Sequence, residues 1–210
     1  MIALVDLRIS NIGSVRHALA RAGCPNTVEA TATSISRASA LVIPGVGSFG
    51  DGMTSLREQG LIDSIRQAAK AGMPVFGICL GMQLLASESE EHGLHEGLGL
   101  IEGRVVRLAP SELGYRVPNI GWCDVRVTRP GLLFTSEPGG CFYHVHSYHL
   151  VPKDQSAIAA IMNYGGQQIA VAVEQGTIAG VQFHPEKSQD DGLDLLARFI
   201  RQVSAPVHRL

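Results

Sequence analysis

The chain has 210 residues, 45% of them hydrophobic and 17% charged, with a formal net charge of −2. This is the balance of an ordinary globular chain, long enough for one domain, 1–210, with a two-sided core. It excludes the strongly basic surface that nucleic acid or an anionic membrane would require, and no partner of either kind is expected.

No apolar run reaches the length of about 18 residues that a membrane span needs. Asp6 interrupts the apolar run Met1–Val5, and no basic residue precedes it, so no secretory leader is read there. Cys24, Cys79, Cys123 and Cys141 are widely spaced and form no Cys-x-x-Cys, which argues against a disulfide framework or a structural zinc site. A reduced, cytoplasmic protein is the expectation.

In chain order, Ile2–Val5 reads as a short buried strand. Ser10 or Asn11 then caps a helix carrying Ile12, Val15, Leu19 and Ala22, ended by Gly23 and Pro25. Leu41–Ile43 is a second buried strand, running into Pro44-Gly45-Val46-Gly47. Helical periodicity returns from Met53 to Ala69 and closes at Gly72 and Pro74. Pro74-Val75-Phe76 is another short strand, and Met82–Ala86 starts another helix. The polar stretch Ser87–Glu96 reads as a solvated helix end.

The second half is richer in β runs: Gly103–Leu108, Cys123–Thr128, Cys141–Leu150, Ala157–Met162, Ile169–Val173 and Ile178–Phe183. A last helix from about Asp190 to Val203 places Leu193, Leu196, Phe199 and Ile200 on one face. The expected fold is therefore α/β: a mostly parallel sheet in the middle of three layers, helices on both faces, and antiparallel additions towards the C-terminus.

Chemistry concentrates at Gly77-Ile78-Cys79-Leu80-Gly81, which reads as a nucleophile elbow with cysteine in the place of serine. Such a strand-to-helix turn presents the sulfur at a helix N-terminus, where the dipole and free N–H groups favour a thiolate. The bland alternative is a buried, inert cysteine beside packing glycines. A general base decides between them. His184-Pro185-Glu186 follows an apolar strand, and in an extended segment the carboxylate two residues on shares a side with the imidazole and can fix its tautomer. The order Cys, His, Glu argues against an α/β-hydrolase, in which the acid precedes the histidine. The N–H of Leu80 and the glycine-rich exit at Val46 and Gly47 are the candidate oxyanion donors. His144 and His146 share a strand face, but no carboxylate or cysteine at ligand spacing joins them, so no metal site and no cofactor is expected.

Together with Gly99-Leu100-Ile101-Glu102-Gly103, Val117-Pro118, Gly121-Trp122, Val145-His146-Ser147-Tyr148 and Gln182–Ser188, these motifs resemble the class I glutamine amidotransferases over nearly the whole chain. Within that family they resemble the glutaminase subunits of imidazole glycerol phosphate synthases. The resemblance implies a flavodoxin-like fold and hydrolysis of glutamine through a γ-glutamyl thioester on Cys79, with His184 as base and acid and Glu186 orienting it. It implies that Gly45, Gln83, Glu91, His146, Ser147 and Tyr148 hold glutamine. It also implies a separate (β/α)8 cyclase subunit, forming a heterodimer, with Asn11, Pro118, Asn119, Trp122 and Lys187 facing it. The chain departs from the family pattern at Leu7–Ser10, at Asn119 (usually His) and at His144 (usually aromatic). The first two, on loops expected near the partner, leave open a paralogous subunit feeding a cyclase-like partner in surface-sugar biosynthesis. A non-catalytic binding or redox-sensing module of the same architecture is a more distant alternative.

Overall fold

A computed structural model describes residues 1–9, 12–135 and 139–204. Ser10 and Asn11, the expected helix cap and one partner-facing residue, lie outside them.

The first half alternates as expected: β1 (Ile2–Leu4), α1 (Ile12–Arg21), β2 (Thr27–Glu29), α2 (Ala32–Ile35), β3 (Ala40–Gly45), α3 (Phe49–Glu58), α4 (Ile62–Lys70), β4 (Val75–Cys79) and α5 (Leu80–Leu84). The strand β2 and the short helix α2 were not anticipated. The single helix expected from Met53 to Ala69 is two, α3 and α4, because Gly60 takes φ +65 just past the end of α3. That left-handed turn ends a helix at little cost only for glycine.

The second half comprises β5 (Ala86–Ser89), β6 (His95–Glu96), β7 (Ile101–Arg107), β8 (Asn119–Val127), β9 (Gly140–His146), β10 (Tyr148–Pro152), β11 (Ile158–Tyr164), β12 (Gln167–Gln175), β13 (Ile178–Val181) and α6 (Gln189–Ser204). The run expected as one strand over Cys141–Leu150 breaks at Ser147 into β9 and β10, which join different sheets. Ser87–Glu96 is not a helix end: β5 and β6 pair in a small second sheet ordered β10-β7-β5-β6.

The main sheet has nine strands, β2-β1-β3-β4-β13-β12-β11-β8-β9. From β2 to β13 neighbours are parallel; from β13 to β9 they are antiparallel. The sheet is thus mixed, with antiparallel additions larger than the sequence suggested. Burial explains the division. Strands β3 and β4 are buried along their whole length, covered on both faces, whereas β8 alternates buried and exposed residues.

Helices α1 and α6 pack with Ile2, Leu4, Phe76 and Ile78 on one face. On the other, α3, α4 and α5 pack with Ala3, Val5, Leu41 and Ile43, joined there by the second sheet through Ala86, Ile101, Val105 and Leu150. The C-terminal ends of β3, β4 and β13 lie side by side, with Gly45 opposite Cys79 and Ile78 opposite Val181. In open α/β sheets such an edge is where sites form.

One buried charge fastens the far half. The Glu174 carboxylate accepts the N–H groups of Leu132 at 2.9 Å and Leu133 at 2.8 Å, with Arg129 Nη1 at 3.7 Å. Replacing Glu174 by Ala leaves the Leu132 and Leu133 N–H groups without their acceptor, while Arg129 keeps the Ser156 and residue-174 carbonyls. An expected loss of about 3–5 kcal/mol in urea unfolding would confirm this anchoring, and an unchanged midpoint would refute it.

Candidate active site

The elbow forms as the sequence implies. Cys79 ends β4 and precedes α5 with φ +53 and ψ −108, a strained conformation for a residue with a side chain. The flanking glycines are required by close approach. A Cβ on Gly77 would lie 2.5 Å from the Gly81 carbonyl oxygen, and one on Gly81 would overlap the Ile43 carbonyl. The sulfur is less open than expected: Cys79 is only 6% exposed. It reaches the outside through a cavity of about 270 Å³.

His184 is held by its backbone. Its N–H donates to Tyr143 O on β9 at 2.9 Å, and its carbonyl accepts Ser188 Oγ at 2.6 Å. Ser188 in turn accepts the Tyr143 N–H at 3.0 Å. The segment after His184 is not extended; Pro185–Lys187 is a 3-10 turn. The turn still returns Glu186, whose Oε1 accepts from His184 Nδ1 at 2.8 Å in an almost fully buried pair. That bond leaves Nε2 for the thiol. Nε2 makes no ordinary-length hydrogen bond among the described residues, a looseness common in sites without substrate. Burial alone pushes the imidazole's pKa down, but the neighbouring Cys79 sulfur and the Glu186 carboxylate outweigh it and push it up to about 10. The ring is therefore poised as an imidazolium, able to give a proton to a leaving group.

The cavity is lined by Val46, Gly47, Cys79, Leu80, Gln83, Glu91, Pro118, Val145, His146, Ser147 and Tyr148. It brings together the expected oxyanion residues and all the expected glutamine-holding residues but one. Gly45 is not among its lining residues; opposite Cys79 in the sheet, it lines with His184 and Glu186 an adjoining space of about 20 Å³ that shares Val46. Glu91 braces the rim, its Oε2 accepting the Phe49 N–H at 2.7 Å. Gln83 Nε2 donates to Tyr148 O at 2.9 Å and to Gln182 Oε1 at 3.1 Å. Gln182 Nε2 lies 3.8 Å from the Cys79 sulfur. Gln182 and Ser188 were quoted as family motif residues without a role, because the sequence does not reveal which side chains cross between strands.

Among residues expected to face a partner, Pro118, Trp122 and Lys187 are exposed. Trp122 stacks edge-on with Tyr143 at 6.1 Å, and Lys187 Nζ lies 5.8 Å from the Tyr143 ring centre. Ile120, not anticipated, is 62% exposed in the same strand. Asn119 is a correction: it is 3% exposed and turns inward, since alternate residues of a strand face opposite ways. It meets His146, as does His144, so two of the family departures converge on one residue.

Burial lowers the pKa of His144, His146 and His149, that of His146 to about 4. These rings are neutral in the fold but take protons below pH 6.5 once unfolded, so the unfolded state binds more protons there. Stability should therefore fall as pH drops from about 6.5 towards 4, with His146 alone contributing about 3 kcal/mol. His184 does not offset this, because its stabilisation is already complete below 6.5 and is lost only as pH rises towards about 10. Urea midpoints at pH 7 and about pH 4.5 test the sign; equal midpoints would contradict it.

Likenesses to known proteins accord with this geometry. Residues 3–203 match the family described as glutamine amidotransferase class-I. The imidazole glycerol phosphate synthase subunit HisH of Moorella thermoacetica is 45% identical over 94% of this chain and 93% of that relative. HisH of Geobacillus thermodenitrificans is 44% identical, over 95% of each chain. In fold, the chain is similar to a PurLQS structure from Thermotoga maritima (TM-score 0.72, 20% identity, 96% of this chain and 98% of that one). It is also similar to a crystal structure of a glutamine amidotransferase (TM-score 0.70, 24% identity, 97% and 99% covered). The chain belongs to the class I glutamine amidotransferase family and, within it, stands among the relatives of HisH.

Proposed function

We propose that this chain is the glutaminase subunit of an imidazole glycerol phosphate synthase, working as a single domain. The observation that carries the reading is the thiol at a strained elbow, opening on a cavity and paired with an imidazole whose other nitrogen is held by a buried carboxylate.

The chemistry follows from these groups. Cys79 Sγ attacks the side-chain amide carbon of glutamine, its proton already resting on His184 Nε2 in the imidazolium. Backbone N–H groups at Leu80 and at the Val46–Gly47 exit take the negative charge on the amide oxygen. Collapse of the adduct breaks the C–N bond, and His184 returns the proton to the departing ammonia. A γ-glutamyl thioester remains. Water then attacks it, His184 accepting the water's proton, and glutamate leaves as the thiol is restored. Glu186 keeps Nδ1 protonated throughout. Gln83, Glu91, His146, Ser147 and Tyr148 hold the substrate.

Ammonia passes to a (β/α)8 cyclase subunit, which makes imidazole glycerol phosphate and aminoimidazole carboxamide ribonucleotide in histidine biosynthesis. The exposed strip Ile120, Trp122 and Lys187, with Pro118 at the cavity rim, supports a docking face beside the site. A cytoplasmic setting fits this pathway, and no helix among the described residues is long and apolar enough to cross a membrane.

The test is glutamate release by the chain alone and after mixing with a histidine-pathway cyclase and its nucleotide substrate. Strong stimulation is expected. Slow glutamate release that this cyclase never stimulates would overturn the pathway while keeping the glutaminase, and no release under either condition would overturn both.

A further inference from the structure

Two donors converge on one nitrogen of a residue that lines the cavity. Asn119 Nδ2 and His144 Nδ1 each lie 3.3 Å from His146 Nε2, and both residues are buried. Strand pairing sets this up: Asn119 is opposite His146, and His144 lies two residues before His146 on the same face of β9. On its other side, His146 Nδ1 lies 2.9 Å from Tyr148 O. A carbonyl only accepts, so Nδ1 carries the proton and the Nε2 of the neutral ring is a bare acceptor. Asn119 Nδ2 and His144 Nδ1 are then the donors that share its single lone pair.

We propose that Asn119 and His144 are positioning residues for glutamine binding, fixing His146 as the neutral Nδ1–H tautomer so that it holds the Ser147–Tyr148 wall of the cavity. The inference rests on the glutaminase reading. The Tyr148 carbonyl receives two donors, His146 Nδ1 and Gln83 Nε2, and Gln83 continues through Gln182 to the Cys79 sulfur. The network thus runs unbroken from the start of β8 to the nucleophile. If His146 took the other tautomer, a bare Nδ1 would face a bare carbonyl oxygen. Repulsion would then move the backbone that the substrate touches. Two donors on one acceptor make the arrangement tolerant of losing either one.

The test uses the full chain, alone and with a histidine-pathway cyclase, together with nitrogen-15 NMR of the imidazole rings. In the wild type His146 should show the Nδ1–H tautomer. Asn119→Leu combined with His144→Phe removes both donors. Nε2 is then a buried acceptor without a donor, so the ring should lose its fixed orientation although the Tyr148 carbonyl still favours Nδ1–H, and kcat/KM for glutamine should fall about tenfold or more, with the loss in KM. Each single replacement should have a smaller effect. Asn119→Asp keeps the size but presents an acceptor, so His146 should become doubly protonated and its titration should move upward. This variant also serves if the double replacement does not fold. A His146 titration unmoved in Asn119→Asp, or a KM unchanged in a folded double variant with working glutaminase chemistry, would overturn the proposal. A wild-type chain that releases no glutamate would overturn the glutaminase reading instead, and the ring spectra would still decide whether these donors fix His146.

Discussion

Replacing Cys79 by Ser is expected to lower glutamate release from glutamine by on the order of 10⁴-fold while leaving the fold intact. The hydroxyl fits where the thiol was, and nothing in the φ +53 turn distinguishes the two side chains. What changes is nucleophilicity: an alcohol holds its proton far more tightly than a thiol, so the same histidine activates it far less. His184 supplies a second readout. Part of the upward push on its pKa comes from Cys79, so its titration should move down in the variant. Glutamate assays and ring NMR measure both effects. A variant with wild-type turnover would remove Cys79 from the chemistry, whereas a wild-type chain without turnover would return the reading to a binding or redox-sensing module.

Gly81→Ala is expected to destabilise the protein by more than about 4 kcal/mol, or to prevent accumulation of the folded chain. The added methyl would overlap the Ile43 carbonyl oxygen, and that oxygen belongs to a fully buried strand. Neither α5 nor β3 can yield without disturbing the sheet, because both are packed into the core around it. Gly60→Ala provides the contrast: its φ is +65, but nothing lies within 4 Å of a new Cβ. It should cost only about 1 kcal/mol, the backbone penalty alone. Thermal or urea unfolding of the pair separates collision from conformation. Comparable losses in the two variants would mean the elbow can relax.

Several elements were legible because their signals are local. The apolar runs of β3 and β4, the Gly-x-Cys-x-Gly turn between β4 and α5, and the final amphipathic helix need only neighbouring residues to declare them. The boundaries that went astray depend on contacts distant in sequence. Ser87–Glu96 is polar enough to suggest a solvated helix end, yet β5 finds a partner in β7, with Ala86 opposite Ile101. Cys141–Leu150 looks like one strand because both of its halves are apolar-alternating; β9 pairs with β8 and β10 with β7, a division that no local pattern encodes.

By itself, the sequence determined the chemistry: a cysteine at an elbow, and a histidine with a carboxylate two residues on. Those spacings hold in any fold that keeps the strand ends together, since covalent geometry limits where a side chain two residues away can reach. How open the sulfur is, that Gly45 is not among the residues lining the cavity at Cys79, and that Asn119 points into the protein were settled by packing. Inward or outward orientation along a strand is set by which neighbour it pairs with and in what register. A shift of one residue would reverse every side chain, so packing against the rest of the chain makes that choice.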